Sequence, residues 1–431
     1  MSDKISAAND SRPSLPQELI DYILDFLGDD IPVLRMCSLA SNSLLPRSRH
    51  HIYSCVLIVH DMDLDSFRER YAGKLYRCGN FDALLKHFPH VGPLVRTLGI
   101  HTIGMHTISE RLVELCADSS LHSIFTSLHN LSQIQLVDRR GMTDWDYFPS
   151  VFQQLFLRTL RSLRLTAVHL KGIAYNTNAD LEDVFTAVVN PALKHLSIDS
   201  DSGEITSSNL SLSIHRPTNG LPELESLSMS GDAMFRQIGF LFFNRSLYNI
   251  SHVRQLSLQL GADTKEWVIQ ALLDEMRDTL ECLTLDVTSN GPDRNTGFDL
   301  RRHKKLKSFF VVLYIAMNTW LLKTHFGAAL QTLTVELLNN HWDPAGPTLE
   351  EVDAHINRLA LPMLRHVHVK LHDDGHDECN SYWCDGDYLP QDHGEWRSQV
   401  EEQMPLLSSK GILEVEVVIQ RYCVARANDS I

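Results

Sequence analysis

The pattern apolar-x-x-apolar-x-apolar returns eleven times along this chain of 431 residues, and nothing else in it restricts the fold as strongly. It reads Val95-Leu98-Ile100, Leu131-Ile134-Leu136, Leu160-Leu163-Leu165, Leu193-Leu196-Ile198, Leu224-Leu227-Met229 and Val253-Leu256-Leu258. It continues as Leu280-Leu283-Leu285, Leu306-Phe309-Val311, Leu330-Leu333-Val335, Leu364-Val367-Val369 and Ile412-Val415-Val417. Most neighbours stand 24–36 residues apart. At such a period one supersecondary unit repeats, and each unit buries its apolar side only by stacking on the next. The last two apolar positions alternate with period two, so each copy predicts a short strand with one buried face.

Helical patterns fill the intervals. Asp263 with Glu266 predicts a capping box ahead of Trp267, Ala271, Leu272 and Met276, and Thr348 with Glu351 does the same ahead of Val352, Ile356 and Leu359. Asp180 is placed to cap a helix carrying Leu181, Val184, Phe185 and Val188. Asn190-Pro191, Leu221-Pro222 and Leu361-Pro362 then predict a helix stop before the next strand, because the residue before proline is pushed out of the helical region. Over roughly Arg96 to Ile419 this succession resembles the leucine-rich-repeat superfamily. The resemblance implies an α/β solenoid with parallel strands on one face and helices on the other. The asparagine or cysteine usual three residues past the strand is replaced by Arg139, Val168, Asp201, Asp232, Gly261 and Thr288. No asparagine ladder is therefore expected, and the solenoid should be irregular. An ordinary α/β domain of βαβ units is the alternative; the constant spacing inside the strand motif speaks against it.

The N-terminus carries a different pattern. In Ser14–Asp30, Ser14 and Gln17 predict a capping box with Pro16 in the first turn. Leu19, Ile20, Ile23, Leu24 and Leu27 recur on one face, with Gln17, Glu18, Asp21 and Asp25 on the other, and Gly28 is placed to end the helix in the left-handed conformation. Asp30 predicts the cap of a second helix with Pro32 in its first turn and Val33, Leu34 and Cys37 on its apolar side; a third segment, Leu44 to Tyr53, carries Arg47, Arg49, His50 and His51.

The order L-P-x-E-L, then D-D-x-P-x-L-R-x-C-S-L-x-S, then L-P-R-S-R-H-H, over residues 13–55, resembles the F-box of fungal, basidiomycete-type F-box-like proteins. The resemblance implies a three-helix module that docks on a Skp-type linker protein, which in turn binds a cullin scaffold in a multi-subunit ubiquitin ligase. Carried over by position, the linker-binding residues are Leu15, Pro16, Leu19, Ile23, Leu34, Cys37, Leu39 and Leu44. Leu44 stands where the family usually has tryptophan, and Ala40 where valine is common, which removes a large interface anchor. Leu34 and Ile23 are expected to be partly exposed. A helical cover for the first strand, near Tyr53-Val56-Ile58, is the alternative role for the module.

The formal charge of −15 and pI near 5.8 argue against nonspecific nucleic-acid binding and against docking on anionic membrane. The longest apolar run, Phe309 to Met317, is too short to span a bilayer. The polar N-terminus carries no secretory pattern, and the eight scattered cysteines do not form a disulfide framework, so the cytoplasm or nucleus is expected.

Leu371–Trp396 collects His372, Asp373, Asp374, His376, Asp377, Cys379, Cys384 and His393 without a lysine or arginine before Glu395. Imidazole, thiolate and carboxylate together are metal donors. Cys379 and Cys384 nevertheless lack a second pair at zinc spacing, so an acidic insertion without metal is expected, and a metal-dependent hydrolase is the remote alternative. Arg301–Lys307 is read as a solvated helix end or loop, with contact to an acidic partner or a short nuclear-import signal as the alternatives, and Trp267, Trp320 and Trp396 are read as core. No phosphate-binding or nucleophile motif is present, and neither catalysis nor a cofactor is expected.

The resulting organisation is a disordered tail over 1–12, an F-box-like module over 13–55, a solenoid over 56–422 with the acidic insertion 371–396, and a flexible tail over 423–431. The outward residues between the last two apolar positions, Arg164, Ser197, Ser228, Ser257, Thr284, Thr334 and His368, are expected to form a face that holds a substrate protein. The expected function is a non-catalytic ligase adaptor; the alternative is a protein-interaction scaffold without ligase coupling.

Overall fold

The structure is a computed structural model that describes residues 15–28, 30–60, 74–102, 110–138, 143–162, 164–175, 177–199, 221–230, 248–260, 266–287, 297–314, 319–338, 348–373 and 393–419. The expected tails, Ser14, Leu163, Asp263 and residues 374–392 of the acidic insertion lie outside the described residues, as does the Trp320 side chain. Two compact units are present: one takes in residues up to 102 with 118–131, the other 110–117 with 132–419.

In the first unit, helices α1 (Gln17–Phe26), α2 (Ile31–Ala40) and α3 (Leu45–Ser54) precede strands β1 (Cys55–Val59), β2 (Leu75–Tyr76) and β3 (Thr97–Thr102). β1 pairs in parallel with both, Leu57 opposite Leu75 and Val56 opposite Leu98. Helices Cys78–His87 and Ser119–Ser127 pack on each other beside them and bury Phe81, Leu85, Leu121 and Ile124. Asp30 caps α2 as expected, its carboxylate accepting from the Val33 N–H at 3.1 Å.

Two local expectations for α1 fail. The helix begins at Gln17 with Pro16 at the N-cap, so Gln17 is too early to close a capping box. Gly28 is not left-handed; its N–H bonds the Asp25 carbonyl at 3.2 Å, and its bare Cα faces His51.

The second unit is an α/β stack of parallel strands: β4 (Gln133–Asp138), β5 (Thr143–Asp144), β6 (Ala167–Lys171), β7 (Ile173–Ala174), β8 (His195–Asp199), β9 (Ser226–Ser230), β10 (Gln255–Leu260), β11 (Cys282–Val287), β12 (Ser308–Tyr314), β13 (Thr332–Leu338), β14 (His366–Asp373) and β15 (Leu413–Ile419). β5 and β7 pair apart from the rest; the others lie side by side in the order β4-β6-β8-β9-β10-β11-β12-β13-β14-β15. The apolar positions meet in register. Ile134, Val168, Leu196, Leu227, Leu256, Leu283, Phe309, Leu333 and Val367 form one buried row. Leu313, Val335, Leu337 and Val369 of that face meet Leu321, Leu349 and Val352 of the covering helices.

Two repeats differ in frame. In the third strand motif the paired residues are Val168 and Leu170, not Leu163 and Leu165, because the preceding helix runs on through Leu160. The apolar-x-x-apolar-x-apolar pattern is satisfied there as Leu165-Val168-Leu170. At the end of the sheet, Val367 pairs with Leu413 and Val369 with Val415, a two-residue slide that keeps the same face inward.

Polar side chains, buried at Asn190, His303 and Asp353 and half-buried at Thr279, tie successive repeats together where an asparagine ladder is missing. Asn190 donates to the carbonyls of Ser162 (3.1 Å) and Leu165 (2.8 Å), Thr279 donates to those of Ser251 (2.8 Å) and Val253 (2.9 Å), and His303 Nε2 donates to that of Leu273 (3.0 Å). Asp353 accepts from the Leu406 and Leu407 N–H groups at 2.8 and 2.9 Å. The expected capping box at Thr348 and Glu351 is present. At the Asp180 helix the cap is Thr177 instead, with Asp180 at the third helical position. Trp396 is core, whereas Trp267 is 69% exposed and corrects its core assignment.

Candidate functional site

Two surfaces stand out, one in each unit. The first is built on α1 and α2. α1 is apolar around most of its circumference. Ile20, Leu24 and Leu27 turn inward, onto a small core of Leu24, Ile31, Leu34 and Ile52 that Cys37, Leu44 and Tyr53 complete. Leu15, Leu19, Tyr22, Ile23 and Phe26 recur at i, i+4, i+7, i+8 and i+11 and turn outward, exposed. Met36 and Leu39 on α2 are exposed as well, Leu39 to 88% and Phe26 to 86%. Exposed large apolar side chains in this number are unusual for a module of this size.

Of the residues carried over from the F-box resemblance, Leu15, Pro16, Leu19, Ile23 and Leu39 are exposed. Leu34 is 0% exposed, which overturns the expectation of a partly exposed contact residue: it is the centre of the module's own core. Cys37 and Leu44 are half-buried against the same core, so Leu44 fills the inside rather than standing out as an anchor. Tyr22, Phe26 and Met36 were missed. For Tyr22 and Phe26 the signal was present as a second apolar stripe on α1, hidden because it adjoins the inward one.

One edge of α1 is polar. Asp25 Oδ1 accepts from Arg47 Nε at 2.5 Å and from His51 Nε2 at 2.8 Å, and Oδ2 accepts from Arg47 Nη2 at 2.7 Å. The hydrogen bonds from Arg47 and then His51 hold the Asp25 carboxyl down at about 2. Gln17 Nε2 donates to the Ser43 carbonyl at 3.1 Å and to Asp21 Oδ1 at 2.8 Å.

The second surface is the outward face of the strands. Its central row runs Gln135, His169, Ser197, Ser228, Ser257, Thr284, Phe310, Thr334, His368 and Glu414, each paired with the next across the sheet. Six of the seven expected outward residues sit there. Arg164 does not; it lies in the turn before β6, and His169 takes its place. Phe310 was missed because an apolar residue between two apolar positions hides the alternation. It is half-buried, flanked by Thr284 and Thr334. His366 and His368 stack at 5.9 Å, and His368 Nδ1 lies 3.0 Å from Glu414. Lys370 pairs with Glu416 at 3.1 Å and Lys171 with Asp199 at 3.4 Å. Burial, with His195 nearby, pushes the His169 imidazole down, toward the neutral form.

The basic run 301–307 is partly neutralised. Arg301 forks onto Asp299 at 2.8 and 2.7 Å, Lys307 pairs with Glu281 at 2.8 Å, and His303 is buried. Leu371–Asp373 extend β14 and His393 opens a helix, so both ends of the acidic insertion belong to regular elements. Among the described residues, no group of three His, Cys, Asp or Glu side chains gathers to hold a metal.

No family model matches the chain, and no curated protein matches it. Among solved structures, the crystal structure of the Rad7 and Elc1 complex in yeast contains a chain that matches at 13% identity and a TM-score of 0.35, over 95% of this chain and 90% of that one. That likeness is too distant to bear on function.

Proposed function

We propose that this chain is a substrate-recognition adaptor of a cullin-based, SCF-type ubiquitin ligase, non-catalytic itself and working in the cytoplasm or nucleus. The α1–α2 face takes a Skp-type linker, which brings the cullin scaffold. The outward face of the strands holds the protein to be modified. The mechanism is proximity: holding a substrate lysine beside the charged ligase raises the effective concentration of one for the other. The carrying observation is the apolar arc of Leu15, Leu19, Ile23 and Phe26 with Leu39, exposed on a module whose sequence order resembles an F-box. Among the described residues no helix is long and apolar enough to cross a membrane.

The inward packing of Leu44 favours one second reading, a scaffold without ligase coupling, since the usual aromatic anchor is missing from the surface. The experiment is capture of tagged full-length chain from a fungal lysate with mass spectrometry, beside a Leu19→Asp, Leu39→Asp variant. The adaptor predicts a Skp-type protein and a cullin with the wild type and neither with the variant. A wild type that brings down neither supports the scaffold.

A further inference from the structure

We infer that Gln17, Asp25, Arg47 and His51 are positioning residues: they fix the roll of α1 on α3 and so keep its apolar arc facing outward. The consequence for docking rests on the function proposed above.

The need for such residues comes from the helix itself. Leu24 is the one α1 residue that is fully buried, while five large apolar side chains point outward along the segment Leu15–Phe26. Burial of apolar surface is non-directional. Turning α1 by one residue, about 100°, would exchange Leu19 and Ile23 for Ile20 and Leu24 at little difference in apolar area. Packing alone therefore specifies the roll poorly.

The polar edge specifies it. Gln17, Asp21 and Asp25 recur every four residues and share one side of α1. At its start, Gln17 bonds the Ser43 carbonyl in the turn before α3. At its end, Arg47 and His51, one turn apart on α3, converge on the single Asp25 carboxylate. The two parallel bonds of the guanidinium fork fix direction as well as distance. Gly28 makes room for the third: a Cβ there would lie 3.3 Å from His51 Nδ1 and 3.1 Å from the Asp25 carbonyl oxygen. A carboxylate in the last turn of a helix is disfavoured by the helix dipole, so Asp25 is not placed for the stability of α1 alone.

The test uses the full chain, with Asp25→Asn, Arg47→Met and the double variant. Hydrogen exchange over residues 15–28 should quicken about fivefold in either single variant, the scale of an exposed but well-aligned pair. The double variant should be no faster than Asp25→Asn alone, because Arg47→Met removes only a partner of the same carboxylate. Exchange in β1 should not move. Capture of a recombinant Skp-type protein should weaken by a similar factor. Unchanged exchange over 15–28 in both singles overturns the inference, and so does a rise spread equally over β1. Faster α1 exchange with undiminished capture overturns the docking consequence. If the wild type captures no linker at all, the adaptor reading fails, and the exchange data still decide whether the polar edge holds α1.

Discussion

In the strands of the second unit, a residue and its neighbour have opposite fates: Leu283 is buried and Thr284 faces out, Leu333 is buried and Thr334 faces out. In α1 of the first unit, adjacent leucine and isoleucine share one composition and split by direction alone, Ile20 and Leu24 inward, Leu19 and Ile23 outward. The difference is one of periodicity. A period of two leaves a strand two faces, and polarity labels each. A helix offers a continuous circumference, and an apolar sector wide enough to serve both a core and a partner carries no internal boundary. The strands announce which side is inside; the module announces only that it has more apolar surface than its own core can use.

The largest effect should come from Leu34→Asp. Leu34 has no exposed surface, so the charge would sit unpaired in a four-residue core and cost about 3–5 kcal/mol. Calorimetry of the full chain should show the transition of the first unit lowered or lost. Leu39→Asp, five residues on and 88% exposed, should change stability by less than about 0.5 kcal/mol. The comparison breaks if the two variants melt alike.

Next in size is Asn190→Ala. It would remove a buried side chain and leave the Ser162 and Leu165 carbonyls without that donor, and should cost about 2 kcal/mol. A loss this large from one polar side chain in the strand unit would show that the repeats are held by specific ties as well as by stacked leucines. A loss under about 0.5 kcal/mol would reduce the unit to its apolar ladder.

What was legible followed from the same distinction. The strands, their buried faces and their parallel order could be read from the repeat. Where the frame slipped, period-two logic explains it. Leu160-Leu163-Leu165 and Leu165-Val168-Leu170 satisfy the same pattern and share Leu165, and only the helix reaching Leu160 decides between them. At β15 a two-residue slide keeps every side chain on its face, so no sequence signal opposes it. The α1–α3 module was legible as three helices but not as an inside and an outside. Leu34 was placed in the contact and Phe26 was overlooked. The Asp25 contacts join residues 22 and 26 apart, beyond any local pattern.

Smaller effects on stability, with a functional readout, are expected on the outward face. Ser228→Arg and Phe310→Asp should each shift stability by under about 0.5 kcal/mol, since both positions are only half-buried on a solvated face. Each should reduce capture of whatever protein the full chain retains from a lysate while sparing capture of a Skp-type protein. If Leu39→Asp and Ser228→Arg impair the same partner, the division of labour between the two surfaces is wrong.

The smallest effect is a titration, and it reads the polar edge of α1 directly. An Asp carboxyl ordinarily titrates near 3.8, and the Arg47 fork with His51 holds that of Asp25 down at about 2. The folded chain therefore binds fewer protons at this site than the unfolded chain does. The contribution to stability is fully present above pH 3.8 and fades as the pH falls toward 2. Asp25 should remain ionised at pH 3 in the wild type, where an unassisted Asp is mostly protonated, as followed by the carboxyl carbon shift in a selectively labelled full chain. Arg47→Met removes the larger cause and should raise the midpoint toward the ordinary value, leaving only the bond from His51. A wild-type midpoint near 3.8, or no response to Arg47→Met, would mean that the fork is not populated in solution and that α1 is oriented by its apolar contacts after all.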